Sequence, residues 1–311
     1  MLLSAEQFRF YPGDAALFDV NGHLMHVRCS GEGLPVVFFE HGLGGNSLDW
    51  AWVQPEIAKV TKTCSFDRAG YGRSIERAKD TRIFKEIAAE TKILLDQLEI
   101  DQMIYVGHSM AGGTGRALEA AHPEMFLGAV WADMIDPHTV TNYNDSTTVE
   151  CERGVKTGYL LYQVGLALSE TGMMRILNMI GFLYAFAPIN ELPADNQNEY
   201  KHGLYRAGYF RAYLDEYLYW GTGCADTLAF TPEEEALNFP VTTIIPLNGI
   251  FEDKMELASG IANLSTVNGK VVKIDDEICD HVGMLHIEHC ANITTAEILI
   301  MLEDVRAGFY Q

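Results

Sequence analysis

Residues 107–112 read Gly-His-Ser-Met-Ala-Gly and follow directly on the apolar run Met103-Ile104-Tyr105-Val106. A short apolar run that ends in small residues and continues as a helix-compatible sequence predicts a strand, a tight turn and a helix, with Ser109 at the turn. Such a turn holds its central residue at an unusual backbone angle, so residues two before and two after must be small. Gly107 and Ala111 meet that demand, Ala111 with one methyl more than the glycine usual there. The serine hydroxyl then stands exposed at the end of a sheet strand, where it can meet a substrate. A match this short is common by chance, so the rest of the chain has to supply what a reactive serine needs.

Strand-like and helix-like segments alternate around this turn, which predicts a largely parallel sheet with helices on both faces. The opening, about 7–30, reads as antiparallel strands with a hairpin turn at Asn21-Gly22. Residues 35–40 read as a buried strand, 48–60 as a helix, 62–67 as a strand and 81–98 as a long amphipathic helix. The helix after Ser109 should stop near His122, before Pro123, with a strand over 127–133. From Pro137 to about Phe239 the alternation breaks, and the segment reads as helical and rich in Met and aromatics, among them Tyr162, Tyr209 and Tyr213. A stretch of that length is too long for a plain connection and should fold on its own. The pattern resumes at Pro240 with a strand over 241–247, a helix over 254–264, a strand over 270–274 and a last helix over 288–307.

The chain has 311 residues, with 43 acidic against 22 basic side chains and a net charge of −21. That balance excludes a nucleic-acid partner, whose binding depends on Lys and Arg neutralising phosphates. It also argues against anionic membrane surfaces, and no apolar run reaches the length of a membrane span. The six cysteines are scattered without a Cys-x-x-Cys and read as reduced structural thiols. The first residues lack a basic, apolar leader, so a cytoplasmic location is expected. No metal-ligand spacing or phosphate-binding glycine fingerprint is present, so neither metal nor cofactor is expected.

A serine nucleophile acting on a carbonyl needs N–H donors for the developing oxyanion. His41-Gly42-Leu43-Gly44-Gly45 follows a strand, and a turn there can offer the Leu43 N–H, with the Met110 N–H as second donor. Asp67-Arg68-Ala69-Gly70-Tyr71-Gly72-Arg73-Ser74 ends the next strand. Taken together, His41-Gly42, the 67–74 run, Gly107-His108-Ser109-Met110 and the helical insertion resemble the capped α/β-hydrolases, the branch with carboxylesterases, proline iminopeptidases and cofactor-free haloperoxidase-like enzymes. The resemblance covers 35–135 well and 240–305 moderately. It implies a mostly parallel eight-stranded sheet with helices on both faces and a helical cap inserted after strand 6. The core would comprise 1–136 and 240–311, and the cap 137–239. In the family the 67–74 run is a structural loop, which gives it no catalytic role.

The family order of nucleophile, acid and histidine places the base after the last strand. His281, His286 and His289 lie there. His281 sits in the loop ahead of the helix and is the expected base, with His286 the alternative. The family pattern puts the acid after the 241–247 strand, where this chain has Glu252 and Asp253; Asp136, after the preceding strand, is a further alternative. Gly42 and His108 are expected to line the substrate site, His108 with its ring directed into the fold. The expected activity is hydrolysis of carboxylic esters of small to medium apolar acyl or aromatic groups through an acyl-enzyme. Rival readings are a carbon–carbon bond hydrolase, an amidase or aminopeptidase, and a slow-turnover small-molecule receptor. The expected partner is a small-molecule ester substrate, with a homodimer left open.

Overall fold

The computed structural model describes residues 15–77, 82–134, 160–179, 188–222, 236–248 and 254–308. Eight strands form one sheet: β1 (Ala15–Val20), β2 (His23–Ser30), β3 (Val36–Glu40), β4 (Thr63–Asp67), β5 (Met103–His108), β6 (Phe126–Ala132), β7 (Val241–Pro246) and β8 (Gly269–Ile274). Their order is β1-β2-β4-β3-β5-β6-β7-β8. β1 and β2 form the expected hairpin, β2 runs antiparallel to β4, and all later pairs are parallel.

The apolar runs become strands because both faces of the sheet are covered. Side chains alternate across β3. Val36 and Phe38 enter a core with Leu94 and Leu95 of α1 (Phe84–Gln97) and Leu118 of α2 (Ala111–Ala121). Val37 and Phe39 point the other way, into a core with Ile298, Met301 and Leu302 of α6 (Glu288–Arg306). Full burial of each such side chain contributes about 1.5–3 kcal/mol. Helices fill the described part of the chain between β6 and β7, including α3 (Ala194–Leu204) and α4 (Ala207–Thr222). They build a third core with Leu48, Ile189, Tyr200, Leu204 and Phe210. This places them over the loops that follow β3 and β4, with Tyr213 against Gly44 and Ala212 against Gly70. A helix, α5 (Lys254–Leu264), precedes β8.

Two expectations change. The single helix expected over 48–60 is a 3₁₀ turn at Ser47–Trp50 and a short helix at Gln54–Ile57. Pro55 is the reason: inside one continuous helix its ring would strike the carbonyl four residues earlier, so the chain breaks and restarts with Pro55 in the first turn. The cysteines described are also not free thiols. Cys29 of β2 lies directly across from Cys64 of β4 and is bonded to it, and Cys279 is bonded to Cys290. Cys151 and Cys224 lie outside the described residues. No helix among the described residues is long and apolar enough to cross a membrane.

Candidate active site

Ser109 follows the last residue of β5 and has φ +53°, the left-handed region that costs a residue with a side chain on the order of 1 kcal/mol. The neighbours hold it there. Its N–H donates to the Ala132 carbonyl of β6 at 3.1 Å, and its own carbonyl accepts from Gly112 N–H at 2.9 Å. The extra methyl of Ala111 is fully buried in the first turn of α2.

His281 meets this serine from the loop after β8. Its Nδ1–H donates to Asp133 Oδ2 at 2.6 Å, which leaves Nε2 to accept from the Ser109 hydroxyl at 2.9 Å. Asp133 is buried, whereas the His281 side chain is 41% exposed, so the ring edge is open to an incoming molecule. Asp133 follows β6 with φ +40°, and its N–H donates to Ile244 of β7 at 2.7 Å. The carboxylate is therefore fixed by the sheet itself.

His108 donates from Nε2 to the His281 carbonyl at 2.8 Å, and the two rings lie 4.6 Å apart. Burial, and then the neighbouring His281, push its pKa down to about 3, so the ring is neutral and serves as a strut beneath the loop. On the other side, Gly42 packs so tightly that a Cβ there would come within 2.9 Å of Ser109 Cβ and 3.0 Å of His108 Nδ1. Only glycine lets the turn after β3 approach the nucleophile this closely.

The peptide between Gly42 and Leu43 is held by its carbonyl end. Gly42 O accepts from His41 Nδ1 at 2.8 Å, Arg68 Nη2 at 2.9 Å and Gly45 N–H at 3.2 Å. Its other end is the Leu43 N–H, which, like the Met110 N–H, makes no hydrogen bond among the described residues. Arg68 is fully buried and also donates to His41 O. Its charge is balanced by Glu216 of α4 through Nε and Nη2, each at 3.0 Å, and by Glu40 at 3.3 Å. Tyr71 and Arg82 bind the same Glu216 carboxylate at 2.9 and 3.1 Å. Despite burial, Arg68 and then Arg82 hold Glu216 below its ordinary pKa, so it remains ionised. His41 is pushed down to about 4 by burial and then by Arg68, and stays neutral.

Residues 35–152 match the family model for the α/β hydrolase fold. The whole sheet order, with helices on both faces, superposes on a structure from Pseudomonas aeruginosa described as an epoxide hydrolase, at TM-score 0.74 and 17% identity over 96% of this chain and 98% of that one. This chain has the α/β-hydrolase fold. Among curated relatives, a 2-hydroxymuconate semialdehyde hydrolase from Pseudomonas sp. (strain CF600) is 38% identical over 103 residues, 32% of this chain and 36% of that one. A protein described as a carbamate hydrolase, from Pseudomonas savastanoi pv. phaseolicola, is 30% identical over 108 residues, 35% of this chain and 41% of that one. The chain thus spans well under half the length of the curated relatives it matches.

Within this hydrolase fold the sequence brought Ser109, His281, Gly42, Leu43 and Met110 into view, and the structure draws Ser109, His281 and Gly42 together. The acid differs. The His281 Nδ1–H goes to Asp133, while Glu252, Asp253 and Asp136 lie outside the described residues. The only cue to Asp133 was its place as the first polar residue after the apolar run of β6. His286 is not available as a base: it is buried, and its Nε2 bonds Asp49 at 3.0 Å beside the Tyr200 hydroxyl. His108 braces the His281 loop with its ring buried in the fold. His289 approaches Cys279 and Cys290, whose sulfurs are bonded to each other. The roles of Arg68 and Glu216 had no sequence cue, because the partners lie 148 residues apart.

Proposed function

We propose that the protein is a serine hydrolase that cleaves carboxylic esters of small to medium apolar acyl or aromatic groups. The observation that carries this reading is the continuous chain Asp133–His281–Ser109, at 2.6 and 2.9 Å. His281 takes the Ser109 proton as Oγ attacks the ester carbonyl, and Asp133 stabilises the imidazolium that forms. The Leu43 and Met110 N–H groups receive the oxyanion. Collapse of the tetrahedral intermediate, with His281 protonating the leaving alcohol, gives an acyl-enzyme, and water activated by the same histidine releases the acid. Tyr209 and Tyr213 beside Gly44 give the site an aromatic wall, which favours apolar or aromatic acyl groups. Ser109 stands where epoxide hydrolases and haloalkane dehalogenases need an aspartate, so the superposition with an epoxide hydrolase speaks for the fold and not for epoxide opening.

The test is hydrolysis of p-nitrophenyl esters from acetate to long acyl chains by wild type and Ser109→Ala. Turnover that peaks at a particular chain length and falls at least about 10³-fold in the variant supports the reading. A folded wild type without ester turnover overturns it. The second reading, carbon–carbon bond hydrolysis, is favoured by the similarity to the 2-hydroxymuconate semialdehyde hydrolase. It would use the same three side chains on a ketone carbonyl and predicts turnover of a vinylogous 1,5-diketone in place of esters.

A further inference from the structure

We infer that Arg68 and Glu216 are positioning residues for the oxyanion hole: together they aim the Leu43 N–H, and so tie the hole to helix α4. The inference rests on the serine-hydrolase reading and assigns a task within it to the 67–74 run, which the sequence leaves as a structural loop.

The Gly42 carbonyl and the Leu43 N–H belong to the same trans amide and point in opposite directions, so whatever fixes the carbonyl sets the direction of the N–H. Three donors converge on Gly42 O, and one of them, Arg68 Nη2, is cationic. A cation at the oxygen also polarises the amide and strengthens its N–H as a donor. Arg68 grips the preceding carbonyl as well, that of His41, so successive peptide units of the turn hang on one guanidinium.

A fully buried guanidinium is stable only where carboxylates balance it. Glu40 contributes at 3.3 Å, but that carboxylate also accepts from Thr114 and Tyr105, each at 2.6 Å. The bidentate pair is with Glu216, whose carboxylate grips the Nε–Nη2 edge in the fork geometry that fixes a guanidinium plane. Glu216 comes from α4, the helix whose Tyr209 and Tyr213 also face the oxyanion turn at Gly44. The helix that walls the site therefore also holds, through one carboxylate, the guanidinium that orients the oxyanion donor.

The experiment compares Glu216→Gln with wild type on a carboxylic ester and on the matching thionoester, in which sulfur replaces the carbonyl oxygen. A thiolate-like sulfur is a poor hydrogen-bond acceptor on a longer bond, so thionoester turnover gains little from the hole. A misaimed Leu43 N–H lowers kcat for the oxygen ester about 10- to 100-fold with KM little changed, and leaves the thionoester within about twofold. A merely structural role lowers both esters in parallel. Tyr71→Phe, which removes a single bond to the same carboxylate, shifts the oxygen-to-sulfur ratio in the same direction by a smaller factor and decides the matter if Glu216→Gln does not fold. Parallel losses, or a ratio unchanged in the folded variants, with Ser109→Ala inactive, overturn the clamp alone. Turnover that survives in Ser109→Ala overturns the serine reading and the clamp with it.

Discussion

Asp133 is placed by its backbone before its side chain does anything. The residue leaves β6 in the left-handed region, with its N–H bound to β7, and this turn swings the carboxylate toward His281. Aspartate tolerates that region better than most side chains, which suits the acid of the proposed triad at a strand end. Its hydrogen bond selects the His281 tautomer that leaves Nε2 able to take the serine proton. Asp133→Asn preserves shape but offers an N–H to Nδ1 and favours the wrong tautomer. The expected result is a fall in kcat of about 10⁴-fold with little change in KM or melting temperature. Steady-state kinetics on the folded variant check this, and a loss below tenfold would move the acid's role to another carboxylate. Nothing in the local sequence distinguishes Asp133 from Asp136, because a positive φ at one residue is set by the strand beside it.

At the scale of elements, the loop between β8 and α6 carries the histidine and is fastened at several points. Asp280 Oδ1 accepts from Gly283 N–H at 2.7 Å and Val282 N–H at 3.1 Å, closing a turn around His281. His108 holds the His281 carbonyl from below, and the bond between Cys279 and Cys290 ties the loop's stem to α6. Asp280→Ala is expected to lower stability by about 1 kcal/mol and kcat by less than tenfold, since the other fastenings remain. Thermal melts and ester kinetics on the same preparation check both. The strands were legible in the sequence because continuous apolar runs in a doubly covered sheet carry their own signature. The order of helices and strands from β3 to β6 followed from the same runs and from Gly and Pro punctuation. What stayed hidden depends on distant partners: the disulfide across β2 and β4, the Arg68–Glu216 pair and the choice of acid. The break in 48–60 has its cue in the sequence, Pro55 itself.

Over the whole molecule, two neutral histidines make the fold sensitive to acid. Burial and Arg68 push His41 down to about 4, and burial and His281 push His108 down to about 3, against an ordinary value of 6.5. Between those values and 6.5 the unfolded chain holds protons that the folded one does not, so stability falls as pH falls. Each histidine contributes a slope of up to about 1.4 kcal/mol per pH unit. Melting temperature should drop steadily from about pH 6.5 toward pH 4, and His108→Gln, which can keep the bond to the His281 carbonyl, should lessen the slope. A flat profile over that range would show that neither ring is held neutral. The groups of the proposed site are scattered along the chain. Ser109 and His281 are 172 residues apart, and Asp133 and His281 are 148 apart. Contacts of that range form late, because a long loop must close before they reward it. A half-folded chain thus carries Ser109 with no base beside it, and under the proposed reading reactivity waits until the last strand and its loop have docked. The distance in sequence acts as a completeness check, sparing the cell an indiscriminate nucleophile during folding.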